Sequence, residues 1–589
     1  MTRVFIAVLL LAVQAEVARA QDLPAWPRDA ASVRAACATA AGDLDSRVAA
    51  IAARNGGYAF ANTVLALEDA VSDARDRVAF ERFAWSVVQD GAIVDASRDC
   101  RTLLRQTAID VLANQRLYAA VARVAIHPPH DAYNRALTLA WLDRFKAGGG
   151  GANAARHDRY VGFAHELARV EDAFWHNLAR DRTTIRINRG QTRGLPSDLG
   201  ATFARNRDGS FAVPVDAGTR SFLRFEDDAD ARQAYYRAYD RRAAAVDVPL
   251  LGRAIALRDR MAHALGVESW AEYRLRATPL AGYVLAVQFL SSAATAYAPG
   301  RPPGAMQPWD LERDDGDPVP APRSLDDALG AIGTAFGLRF TRSSEATWAS
   351  GAVRYDVAGD SSQRSLGSLY VDLARRSGKQ TGEGAYAILL PRSTRPGAVA
   401  IVASWPGRTA TISGDRLVDF YRLAGHALAK LLPDVPYETL ARVSPGAEDT
   451  IAAIFERFGR PGAPAARNML RQTVLGQIDL AFSSSGSHVD TNAIWQRVAS
   501  STFAPLYDLG TYPQVASDDF VDGGAGLLAL RPWGQTYAAD LYGALAVDER
   551  IDPKAGERFR HVVLAPGASR RFEDEMHDFL GRDPHSVMP

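Results

Sequence analysis

Between Asp415 and Leu432 the chain reads DRLVDFYRLAGHALAKLL, with apolar residues recurring at helical spacing. Helices that serve hydrolytic zinc carry H-E-x-x-H. Two histidines one turn apart on one face bind the ion, and the glutamate between them activates its water. The corresponding five residues here are Arg422, Leu423, Ala424, Gly425 and His426. The closing histidine is present, but the opening histidine is an arginine and the glutamate is a leucine. Arg422 places a permanent cation about where the metal's own charge would sit, and like charges do not share a pocket cheaply. Leu423 cannot take a proton, and loss of a positioned general base alone costs roughly two to four powers of ten in rate.

The segments around this helix read as a mainly helical protein. Apolar residues recur at three and four from Pro27 to about Ala147, and the stretches Tyr58 to Val71 and Arg101 to Ala125 predict amphipathic helices. Gly148 to Gly151 predicts a turn, Arg159 to Arg180 another helix, and Gly194-Leu195-Pro196 its break. Phe211 to Val215 and Ser221 to Phe225 read as short extended pieces. Helices resume at Asp228 and run, with breaks, to Ala298, and Pro299 to Pro322 reads as an irregular loop. Gly351 to Val357, Ser368 to Asp372, Tyr386 to Leu390 and Val399 to Ser404 have strand character and predict one small sheet just before the key helix. From Asp415 onward the pattern is helical again, interrupted by loops at Gly459 to Pro464 and Asp518 to Gly526.

In this setting the chain resembles the thimet oligopeptidase family, which includes oligopeptidase A and the bacterial peptidyl-dipeptidases. That family writes its zinc helix F-H-E-F-G-H-A/V followed by an apolar residue, and Phe420 to Leu428 follows it except at the decisive positions. Asp372-Leu373-Ala374-Arg375-Arg376-Ser377-Gly378-Lys379 resembles the family's D-L-x-x-R-x-G-K. Glu448-Asp449 through Glu456 resembles the V-E-x-P-S-Q-x-x-E helix that gives the third zinc ligand, which sets Asp449 in the ligand's place and Glu456 at the later glutamate. Met469 to Phe482, with Asp479, resembles the helix that follows. Tyr537 to Gly543 resembles G-Y-x-A-x-Y-Y, and Phe579-Leu580-Gly581-Arg582-Asp583-Pro584 is similar to the family's closing F-L-G-R-D-P. Leu257-Arg258 with Ala262 to Tyr273 also fits, so the resemblance covers roughly residues 160 to 589.

The resemblance implies a two-lobed helical zinc-oligopeptidase-like fold enclosing a deep channel, with one small β-sheet near the former metal site. Its divisions are expected at 1–20 (a leader), 21–210 (an N-terminal helical region) and 211–589 (a metallopeptidase-like region with the degenerate zinc helix at 415–432). It further implies that His426 and Asp449 are remnants of a metal site, and that no catalytic residue is intact at Arg422 and Leu423. Tyr537 and Tyr542 are the peptide-binding residues that remain. Leu541 and Ala544 stand where tyrosines are expected, and Pro532 about where the family has a histidine. Arg422 is expected to replace the metal structurally, through an ion pair with Asp449. The expected function is that of a pseudopeptidase that binds short peptides or an envelope protein and holds no cofactor. The alternative is an active zinc oligopeptidase using His426, Asp449 and Glu448 or Glu456.

Composition excludes other classes. Lys plus Arg equals Asp plus Glu, at 68 each in 589 residues, which gives no global reason to expect nucleic acid or an anionic membrane as partner. Almost all the positive charge is arginine. No G-x-S-x-G and no phosphate-binding glycine loop occurs. His165-Glu166 opens a zinc-like pattern that Arg169 ends, and Ser483 to Ser487 beside His488 reads as a polar loop. Arg3, the apolar run Val4 to Val13 and Ala18-Arg19-Ala20 describe a secretory signal peptide. Cleavage is expected near Ala20, the mature chain near Gln21, and a periplasmic or secreted location follows, with no transmembrane segment. Cys37 and Cys100 are the two cysteines, and an oxidising compartment allows them to pair.

Overall fold

The computed structural model describes residues 26–298, 307–313, 321–359, 364–460, 466–503, 507–548 and 550–588. The expected leader, most of the 299–322 loop and part of the 459–464 loop lie outside the described residues.

The first third is a layered helical array. It comprises α1 (Ala30–Ala52), α2 (Ala66–Arg77), α3 (Gly91–Ala113), α4 (Gln115–Ile126), α5 (Ala132–Ala147) and α6 (Ala154–Arg180). Asp29 caps α1 through a reciprocal capping box with Ser32. The helix expected from Arg101 to Ala125 is two helices. Asn114 leaves the helical region at φ −71°, ψ 104°, and its side chain accepts the Arg116 and Leu117 amides, so it ends α3 and starts α4. The Tyr58–Val71 helix likewise begins late: a π-helical turn at Ala61–Leu65 leads into α2. Cys37 on α1 and Cys100 on α3 form a disulfide, with their Cα atoms 5.5 Å apart.

A small antiparallel sheet follows, with β1 (Thr184–Ile187) and β2 (Ala204–Arg205) flanking β3 (Phe211–Pro214). Ser221 to Phe225 is not extended; Phe222–Phe225 is one helical turn. The successive residues Phe222 and Leu223 are both buried, which a strand with one solvated face does not allow, and Phe222 stacks on Tyr235 at 5.1 Å.

The strand-like segments before the key helix form the expected sheet. A two-residue strand, β4 (Arg323–Ser324), precedes β5 (Leu338–Arg342), β6 (Val353–Gly359), β7 (Ser365–Ala374), β8 (Gly384–Leu389) and β9 (Gly397–Trp405). The order is β5-β6-β7-β9-β8, with β7 and β9 parallel and the other pairs antiparallel. Every residue of β9 is buried, because both sheet faces are covered. Val399, Ile401 and Ala403 face the main core with the 414–431 helix. Ala398, Ala400 and Val402 face Phe80 and Phe83 of the N-terminal region, so the sheet joins the first third of the chain to the last. The two-residue β10 (Thr411–Ile412) pairs with β4 and leads into the key helix.

Candidate functional site

The predicted helix is observed at Gly414–Leu431, and it packs on the Pro445–Gly459 helix. Gly425 lets their backbones approach closely. A Cβ there would lie 2.8 Å from the Ala452 Cα and 3.0 Å from the Phe455 Cβ. The Leu530–Leu545 helix reaches the same pair through Gly534, where a Cβ would stand 3.0 Å from the Thr450 nitrogen. Three helices therefore meet backbone to backbone around the expected metal position.

The polar face of the 414–431 helix carries Asp419, Arg422, His426 and Lys430, spaced by three and four residues. The expected ion pair between Arg422 and Asp449 is not formed. The Arg422 Nη2 donates instead to Glu383 Oε1 at 2.6 Å, with Asp419 at 3.9 Å. Glu383 lies in the loop between β7 and β8, directly facing Arg422, and its other oxygen accepts the Trp405 indole N–H at 3.0 Å. A guanidinium is long enough to reach that loop, and a carboxylate already held by an indole is a better fixed partner than a short aspartate one helix away. Despite burial, Glu383, Asp419 and Glu456 hold the Arg422 guanidinium above its ordinary pKa.

Leu423, in the position of the general base, is 2% exposed and packs in the main core. His426 Nδ1 lies 2.9 Å from Glu448 Oε1, and the Lys430 ammonium contacts the same oxygen. Burial acts to raise the Glu448 pKa, but Lys430 and His426 outweigh it and hold the carboxyl at about 2. Asp449 is half-buried and its side chain makes no hydrogen bond or ion pair among the described residues. Burial raises its carboxyl above the usual aspartate range against the pull of His426 and Arg531. Glu456 accepts the Gln535 amide at 2.8 Å, and burial raises it too. Among the described residues no three His, Cys, Asp or Glu side chains are grouped so as to hold a metal ion.

Of the expected peptide-binding tyrosines, Tyr537 stacks on Trp533 at 4.3 Å and is half-buried, while Tyr542 is packed into the main core. His165 pairs with Asp110 at 2.8 Å, Glu166 pairs with Arg253, and Ser487 lies 3.3 Å from the His488 Nδ1 on the surface. Sequence reasoning missed Glu383 and Lys430. Lys430 carried a signal, since it lies one turn beyond His426 on the same face. Glu383 carried none, because it reaches the site only through the sheet.

No family model matches the chain. A probable thimet oligopeptidase of Arabidopsis thaliana is 20% identical over 548 residues, which cover 81% of this chain and 76% of that protein. Saccharolysin of Saccharomyces cerevisiae is 30% identical over 83 residues, 14% of this chain and 11% of that protein. The chain is zinc-metallopeptidase-like. Among solved structures, a carboxypeptidase of Pyrococcus furiosus shares its fold at a TM-score of 0.53 and 12% identity, covering 89% of this chain and 95% of that one. An M32 carboxypeptidase from Deinococcus radiodurans R1 does so at 0.51 and 11%, with the same coverage of 89% and 95%.

Two segments that carried the resemblance prove to be structural ties in this metallopeptidase-like fold. Asp372, fully buried, takes both Arg376 guanidinium nitrogens (2.6 and 2.7 Å), the Lys379 ammonium (2.7 Å) and the Trp348 indole N–H (2.7 Å). Arg376 also donates to the Val87 carbonyl, which fastens the N-terminal region to the sheet. Near the end, Arg582 forks onto Asp540 at 2.9 and 2.6 Å, so the closing segment is clamped to the Leu530–Leu545 helix.

Proposed function

We propose that this chain is an exported oligopeptidase-fold protein that holds no catalytic zinc, cleaves no peptide, and acts by binding short peptides or an envelope protein. The observation that carries the reading is the Arg422–Glu383 ion pair at 2.6 Å, set where the resemblance places the first zinc histidine. Around it the donor set does not fit the ion. A catalytic zinc takes three protein ligands and an open position. Here His426 faces Glu448, Glu448 is shared with the Lys430 ammonium, and Leu423 offers no base. The names of the sequence relatives support peptides as the ligand class. The Cys37–Cys100 disulfide supports an oxidising compartment, reached through a leader removed near Ala20. No helix among the described residues is long and apolar enough to cross a membrane.

The test is a quenched-peptide cleavage assay with added zinc, run beside an Arg422→His, Leu423→Glu double variant. The unaltered chain is expected to be silent. Cleavage by it that a chelator abolishes would establish the alternative, an active zinc oligopeptidase using His426, Asp449 and Glu448 or Glu456. Amino-terminal sequencing of the protein recovered from an envelope fraction checks export; a chain still beginning at Met1 would contradict it.

A further inference from the structure

The N-terminal helices enclose a cavity of about 460 Å³ between α1, α2, α3, α5 and α6, and no residue of the 414–431 helix lines it. Seven arginines line it against a single carboxylate, that of Asp172. Arg98, Arg101 and Arg105 share one face of α3 through their three- and four-residue spacing, an arrangement that is destabilising unless something neutralises it. Some of the charge is met: Arg105 pairs with Glu171, and Arg75 and Arg442 share Glu438 at 3.3 and 2.6 Å. The rest is not. Arg101 makes no hydrogen bond or ion pair among the described residues, and its guanidinium lies 4.5 Å over the Trp85 ring. The nearest carboxylate to Arg98 is Asp95, at 4.0 Å. Arg144 lies 4.1 Å over Trp141 and donates to the Thr439 hydroxyl at 3.1 Å, and Arg82 donates to the Ile388 carbonyl at 2.7 Å while its buried Nε has no partner. Burial, with repulsion from Arg75 added, lowers both Arg82 and Arg144 to about 10.

From this geometry we infer that the cavity is a binding site for short acidic peptides, with carboxylate side chains held by Arg98 and Arg101. Guanidinium forks match carboxylates in two parallel hydrogen bonds. The indoles of Trp85, Trp141 and Trp175 supply apolar walls for the methylene stems and peptide planes between the charges. The volume falls in the range of roughly 300–1,000 Å³ typical of small-ligand sites. A bare inorganic anion would fill a small part of it and leave the tryptophan walls unused.

This inference rests on the peptide-binding reading above and names its ligand class and its place. Calorimetry on the full chain with tri-glutamate, tri-glutamine and inorganic pyrophosphate tests it. Tri-glutamate is expected to bind at least about tenfold more tightly than either control, and more weakly as salt is raised. Arg101→Gln should weaken it by about tenfold or more, Arg101→Lys should weaken it less, and Arg570→Ala, at an exposed pair with Asp578 far along the chain, should leave it unchanged. Arg98→Gln serves as a second variant, with melting temperature as the check on folding. Equal binding of the glutamate and glutamine peptides, equal binding of pyrophosphate, or indifference to both glutamine variants would each overturn the inference. Peptide cleavage by the unaltered chain would end the pseudopeptidase reading and leave this binding result standing.

Discussion

At the scale of single residues, the site is a pair of charge clusters on one helix face. Arg422 is committed to Glu383, and both side chains are about one-third exposed, so their pairing is modest. A double-mutant cycle on Arg422 and Glu383 should give a coupling of about 1 kcal/mol, while the same cycle on Arg422 and Asp449 should give about zero. The reverse ranking would show that the arginine reaches across to the neighbouring helix. The second cluster predicts a pH dependence. Glu448 has a folded pKa of about 2 against an ordinary 4.5, so it binds fewer protons folded than unfolded. Its contribution is complete above pH 4.5 and is lost as the pH falls from 4.5 towards 2. The shift corresponds to at most about 3 kcal/mol. Denaturant titrations between these limits should show a shallower acid loss in Glu448→Gln than in the parent chain, and parallel curves would refute the assignment.

At the scale of elements, glycines rather than ligands bring the helices together. Gly425 lets the 414–431 and 445–459 helices touch at their backbones, and Gly534 does the same for the 530–545 helix. Gly425→Ala must push a methyl against the Ala452 backbone, which cannot swing aside as a side chain does. We expect a loss of about 1–3 kcal/mol, even though alanine is the better helix former. An unchanged midpoint in denaturant would show that the helices can part without cost. No metal is needed to explain this packing, because Leu423, Ala424 and Ala427 of the first helix and Ile451, Ile454 and Phe455 of the second fill one core.

At the scale of the whole molecule, the first third of the chain is tied to the remainder by the sheet and the Asp372 cluster, and the disulfide braces the helices within that first third. The bridge closes a separation of 63 residues between α1 and α3 and fixes the helix that lines the basic cavity. Cys37→Ala with Cys100→Ala should cost about 2–4 kcal/mol, read as a lower midpoint in denaturant. The same double variant should weaken tri-glutamate binding if α3 shifts. Thiol titration of the unfolded parent without reductant should find no free thiol; two would show that the bridge does not form.

What sequence alone determined were the features that depend on neighbours along the chain. Periodicity placed the 414–431 helix, β-branched and aromatic runs placed β6 to β9, and the missing H-E-x-x-H was plain from residue identity. Ordered motif matches carried the zinc-metallopeptidase-like fold. Local pattern misplaced the break at Asn114 and the turn at Phe222, where a single cap and a buried aromatic stack outweighed propensity. Only the tertiary structure decided who pairs with whom. Arg422 takes Glu383 because the β7–β8 loop delivers that carboxylate, held by Trp405, and no spacing in the chain encodes the distance. The basic cavity was equally hidden. Arginines 75, 98, 101 and 144 lie on three different helices, and only folding turns a balanced net charge into a local surplus.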